Sequence, residues 1–172
     1  MLPSPFVSAA SGRCRDGHTR NTLELRDPTA SDLDRLVTIG GHALVTILFD
    51  APSDAPLGPS SLARFEQLVA TATARVLQEP GGDTEMGWTG PELCSQLRGQ
   101  VMGHGLVLVL GAGVAQAFRL SLAPGDRVVV DPTFATRELA QTVWEERELL
   151  LFGAVDLRGP AVRDPRATCR SG

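Results

Sequence analysis

Few residues in this chain could do chemistry, and their neighbours decide which of them matter. Asp50 ends the apolar run Ala43–Phe49, and the carboxyl end of a strand is where α/β enzymes place catalytic groups. No histidine, second carboxylate or metal-ligand cluster stands at a recognisable spacing from it. Asp50 therefore reads as a turn-forming aspartate at the head of a loop with three prolines, Pro52, Pro56 and Pro59. His104 sits between Gly103 and Gly105 at a helix-to-strand junction, with His18 and His42 far off in sequence. A metal or a nucleophilic triad needs companions that these positions do not supply. Cys14, Cys94 and Cys169 are odd in number, widely spaced and without a CxxC pair, which indicates neither a disulfide framework nor a zinc site. The expectation is a chain with no catalytic residue, no metal and no cofactor, in a reducing, cytoplasmic setting.

Gly111-Ala112-Gly113 is the one glycine cluster with a mechanism attached. It follows the Val/Leu-rich run Gly105–Leu110, so the segment has the look of a strand entering a dinucleotide-binding turn. Two requirements fail: the third small residue is Gln116, and Pro124-Gly125 arrives too soon for a phosphate-binding helix. A hairpin is the better reading, with Val114–Leu120 as the returning arm, Phe118 and Leu120 on one face and Arg119 on the other. A nucleotide-binding enzyme using this turn is the alternative, and a helix directly after Gly113 is what it requires.

The remaining chemistry is in the arginines. The 172 residues carry a formal charge of −4, so nothing draws the chain to nucleic acid in general. All 16 basic residues are arginine, whose planar fork suits phosphates and stacks on bases, although codon bias in a GC-rich genome gives the same composition. Tyrosine is absent too. Arg119, Arg127 and Arg137 lie on or beside the last strands with polar turns around them, and they are the candidate RNA contacts.

Around these residues the hydrophobic pattern lays out an α/β (α+β) fold: a mixed, largely antiparallel sheet with a C-terminal meander and helices packed on it. Residues 1–21 read as a disordered leader, 22–157 as a single domain and 158–172 as a frayed tail. Thr22–Leu25 alternates like a short strand, and a helix begins at Ser31 with Leu33, Leu36 and Val37 on one face and ends at Gly40-Gly41. Ala43–Phe49 is a central strand. Ser60 or Ser61 caps the longest helix, whose stripe is Leu62, Phe65, Leu68, Val69, Ala72 and Val76. Glu79–Gly90 is a loop. Pro91 opens a helix with Leu93, Leu97 and Val101 inward, ending at Gly103. Gly105–Leu110, Val114–Leu120 and Val128–Val130, ended by Asp131-Pro132, make the meander. Thr136–Glu148 is a helix with Leu139, Val143 and Trp144 inward, and Leu149–Val155 reads as a last strand. Phe49, Phe65, Leu68, Leu108 and Phe118 are expected in one core. No run approaches a membrane-spanning length.

Asp32–Leu36, VTILFDAPSD from Val45, LARFEQLVATATARVL from Leu62 and GHGLVLVLGAGVAQAFRLSLAPGDRVVVDPTFATREL from Gly103 together resemble the N-terminal domain of a bacterial and archaeal family. That family is related to the class-I translation release factor of archaea and eukaryotes and includes the Balon-like ribosome-hibernation factors. The resemblance covers roughly residues 30–140. Ala135-Thr136-Arg137-Glu138-Leu139 stands where the family has Leu-Lys-Pro-Leu-Leu. It implies a non-enzymatic, ribosome-associated domain that binds an idle ribosome at the A site through ribosomal RNA. The Gly-Gly-Gln tripeptide of hydrolytic release factors is missing: Gly81-Gly82 is followed by Asp83, and Gly99-Gln100 is preceded by Arg98. An orphan protein-interaction module is the third reading, and an exposed apolar sheet edge, left where the missing domains of the family would dock, is its mark.

Overall fold

Strand β2 (Gly40–Asp50) is buried without a break from Leu44 to Phe49, so it needs a neighbour on both sides and a layer on both faces. It has them. In the computed structural model, which describes residues 23–52, 55–80 and 89–156, a five-stranded sheet runs in the order β1 (Leu25–Arg26), β4 (Val114–Leu120), β3 (Gly105–Gly111), β2, β5 (Arg127–Thr133). All pairs are antiparallel except β1 on β4. Helices α2 (Pro59–Val76) and α3 (Gly90–Leu97) cover one face; α1 (Ala30–Thr38) and α4 (Arg137–Asp156) cover the other. The expected leader, the tail, Cys14, His18, Cys169 and most of the 79–90 loop lie outside the described residues.

The mixed, largely antiparallel α+β sheet is as the sequence predicts, but its C-terminal strands do not form a meander. β3 and β4 make the expected hairpin, in register from Gly105↔Leu120 to Gly111↔Val114. β5 passes over the end of the sheet and pairs with β2, from Leu48↔Arg127 to Gly40↔Thr133. The six residues between Leu120 and Arg127, up to about 20 Å when extended, reach across the roughly 14 Å of three strand spacings, so connection length alone does not oblige β5 to join β4. The strand also runs past Asp131-Pro132, which an edge strand tolerates because one row of its N–H groups needs no ladder partner.

Leu149–Val155 is helix, not a last strand: α4 runs unbroken from Arg137 to Asp156, which makes it longer than α2. No helix breaker separates Glu148 from Leu149, and a short apolar run has no periodicity of its own to call it β. The other shifts are local. α1 starts at Ala30 because Thr29, not Ser31, is its cap, in a reciprocal box with Asp32. α2 is capped by the Gly58 backbone with Pro59 in its first turn, and not by a serine. α3 ends at Leu97, leaving Val101 exposed, and Trp144 is exposed on α4.

The sheet separates two cores. Phe49, Phe65 and Leu108 share the α2/α3 face, with Leu68 packed against it. Phe118 belongs to the other cluster, with Leu36, Val107 and Leu139. The expected single core fails on parity: Phe118 pairs with Val107 and Ala117 with Leu108, so Phe118 and Leu108 point to opposite faces. No helix among the described residues is long and apolar enough to cross a membrane.

Candidate functional site

The three arginines expected to meet RNA are dispersed by the topology. Arg119 on β4 and Arg127 on β5 are separated by β3 and β2. They also face opposite ways: Arg119 has the parity of Ala117, in the α2/α3 core, and Arg127 that of Val129, which packs against the α1/α4 core. Both still lie at one end of the sheet, since Arg119 is level with Phe49 through Leu106 and Arg127 with Leu48, but on opposite faces and with two strands between them. Both are also engaged. Arg119 Nε donates to the Val101 carbonyl at 3.1 Å and Nη1 lies 3.4 Å from Asp27. Arg127 Nη2 holds Glu138 Oε1 at 2.7 Å. Arg137, exposed at the start of α4, has no hydrogen-bond or ion-pair partner among the described residues. It is adjacent in sequence to the Glu138 that Arg127 holds, so the fold brings Arg127 and Arg137 to one region and leaves Arg119 elsewhere.

Asp50 has a structural role, and residues that sequence reasoning passed over share it. Its carboxylate accepts the Gly125 N–H at 2.6 Å, and its own N–H donates to Asp126 at 2.9 Å. Arg64, from α2, ion-pairs with Asp126 at 2.7 Å, donates to the Asp50 carbonyl, and lies 4.8 Å over the Phe49 ring. This knot pins the β4–β5 connection to the end of β2, which is how β5 is delivered to its place. Arg64 and Asp126 lie 62 residues apart in sequence, and no local pattern joins them.

Other candidates stay apart. His42 and His104 are both exposed and sit at opposite ends of the β2–β3 ladder, since Asp50 pairs with Gly105. Among the described residues no group of three or more His, Cys, Asp or Glu side chains converges. Cys94 is buried against Leu62, donating to its carbonyl at 3.7 Å. Burial pushes its thiol up in pKa, Glu66 adds to the effect and Arg98 opposes it, so the reactive thiolate is disfavoured. Asp32 is the most enclosed carboxylate of the α1 region. Burial raises it, but hydrogen bonds from Thr29 and the guanidinium of Arg26 outweigh that and hold it below the ordinary aspartate value.

Gly111-Ala112-Gly113 closes the β3–β4 hairpin. Ala112 (φ 48°) and Gly113 (φ 75°) are both left-handed, the arrangement of a two-residue type I′ turn, and Val114 starts a strand where a phosphate-binding fold would start a helix. Gly111 pairs with Val114 in the ladder, and no helix N-terminus follows the turn.

Neither a protein-family model, nor a curated protein, nor a solved structure matches this chain.

Proposed function

We propose that the chain is a non-enzymatic, ribosome-associated domain of the kind its sequence resembles, binding ribosomal RNA. The observation that carries this is the succession of elements on the resembling segments. VTILFD lies in β2, LARFEQLVATATARV in α2, GLVLVLG in β3, VAQAFRL in β4 and RVVVDPT in β5. The Arg127/Arg137 region at the start of α4 is the contact in this reading, with Arg137 free to take a phosphate and Arg127 sharing its fork with Glu138. Arg119 is held by Val101 and Asp27 and drops out of the contact set.

Co-sedimentation with ribosomes from stationary-phase cells across a salt series tests it. Binding should weaken steeply with salt, and Arg137→Ala should lower the slope of log K against log salt by about 1. Absence from the ribosomal pellet at low salt overturns the proposal.

A further inference from the structure

β5 is the end strand of the sheet and pairs with β2 alone. The alternation of its backbone groups can be read from one contact: the Val128 carbonyl accepts from Arg75 Nη1 of α2 at 2.6 Å, so Val128 turns its N–H and C=O away from β2. Val130 does the same by parity, and among the described residues those two groups of Val130 have no partner. Pro132, next in the outward row, has no N–H to leave unpaired. Arg127, Val129 and Asp131 spend their backbone groups on β2 and put their side chains on one face, where Arg127 and Asp131 are exposed.

This edge is complementary to itself. Laid antiparallel against a second β5 with the two-fold axis at Val129, Val128 stands opposite Val130 of the second copy. That outward pair exchanges both hydrogen bonds, and it occurs twice. In the same register Arg127 stands opposite Asp131, again twice, as cross-strand pairs of opposite charge. Moving the axis to Val128 sets Arg127 against Val129 and Asp131 against Gly125, moving it to Val130 sets Asp131 against Val129 and Arg127 against Thr133, and moving it to Arg127 sets like charges together. Only one register satisfies backbone and charge at once, and it needs this sequence on both sides. Glu138 engages only Nη2 of Arg127, so other donors of that guanidinium remain for Asp131.

We propose that β5 is a homodimerisation edge, joining two copies into one continuous sheet through antiparallel Val128–Val130 pairing centred on Val129. Arg75 is the competitor: it caps the Val128 carbonyl in the monomer and must release it to the Val130 N–H of the second copy. The inference is independent of ribosome binding.

Sedimentation equilibrium from about 1 μM to about 1 mM chain measures the association directly. The unaltered chain should show a concentration-dependent dimer. Val130→Pro deletes an outward N–H together with a side chain half-buried against the α2/α3 core, and Asp131→Arg sets Arg127 against a like charge. Each should weaken the dimer about tenfold or more, while Arg75→Ala should tighten it. Circular dichroism of the Asp131→Arg chain, a surface change, separates loss of pairing from loss of fold. A chain that stays monomeric throughout, or a dimer that both Val130→Pro and Asp131→Arg leave intact, overturns the proposal.

Discussion

The two faces of the sheet do the same job with different materials. On the α2/α3 face the buried residues are apolar throughout, and Phe49 and Phe65 meet edge to face with ring centroids 5.4 Å apart. On the α1/α4 face the core is smaller and holds the buried polar residues: Thr46 in β2, Asp32 in α1 and Thr142 in α4. Each has a partner that ties down a connection. Thr46 Oγ1 accepts the Ala135 N–H at 3.0 Å and so fixes the passage from β5 to α4. Asp32 joins the Thr29 cap to Arg26 of β1, whose guanidinium also lies 5.2 Å over Phe118. Non-directional burial supplies stability on one side, and directional bonds on the other settle where the segments enter and leave.

Substitutions can break this contrast. Phe65→Ala, on the apolar face, should cost about 3–5 kcal/mol in denaturant unfolding, the largest effect expected here. If the faces are separate cores, Leu36→Ala and Ile47→Val should add to within about 0.3–0.5 kcal/mol; strong coupling between them would mean one core across the sheet. Thr46→Val keeps the shape, leaves the Ala135 N–H unpaired and should cost about 1–3 kcal/mol, with faster hydrogen exchange localised to residues 134–136.

Asp32 gives the polar face a pH dependence. Because the folded state holds its carboxyl below the unfolded value of about 3.9, its contribution is present above that pH and is lost as pH falls through the folded value. Melting temperature recorded from about pH 5 down to pH 2 should show a fall that Asp32→Asn reduces. The smallest effect belongs to neither face. Ala112 holds a left-handed conformation costing about 1–2 kcal/mol, so Ala112→Gly should stabilise by up to about 1 kcal/mol after the added chain entropy of glycine.

Local chemistry explains which of these features the sequence makes legible. The β3–β4 hairpin is readable because Gly111-Ala112-Gly113 can turn in only a few ways, and the stripe of α2 because its period is unambiguous. The Thr29-x-x-Asp32 box was available as a start signal for α1 and outranks Ser31, since it satisfies two backbone groups at once. The destination of β5 was not legible. It is decided by Asp50, Arg64 and Asp126 meeting across long sequence separations, and a six-residue connection is long enough to reach either neighbour. The scatter of the candidate arginines follows from that one step, because Arg119 and Arg127 are close only in a meander. Leu149–Val155 failed for a different reason: a run of leucines carries no period, and its state is inherited from the helix before it.

The placement of β2 between β3 and β5 also sets a timetable for a nascent chain. β2 leaves the ribosome well ahead of β5, and its second neighbour is not complete until Thr133, about 80 residues later. At roughly 5–20 residues per second that is an interval of about 4–17 s in which the Leu44–Phe49 segment has an unfilled edge. Such a segment is apolar and β-prone, the kind that pairs with the wrong partner when left waiting. Slow synthesis, for this chain, lengthens exposure instead of easing folding.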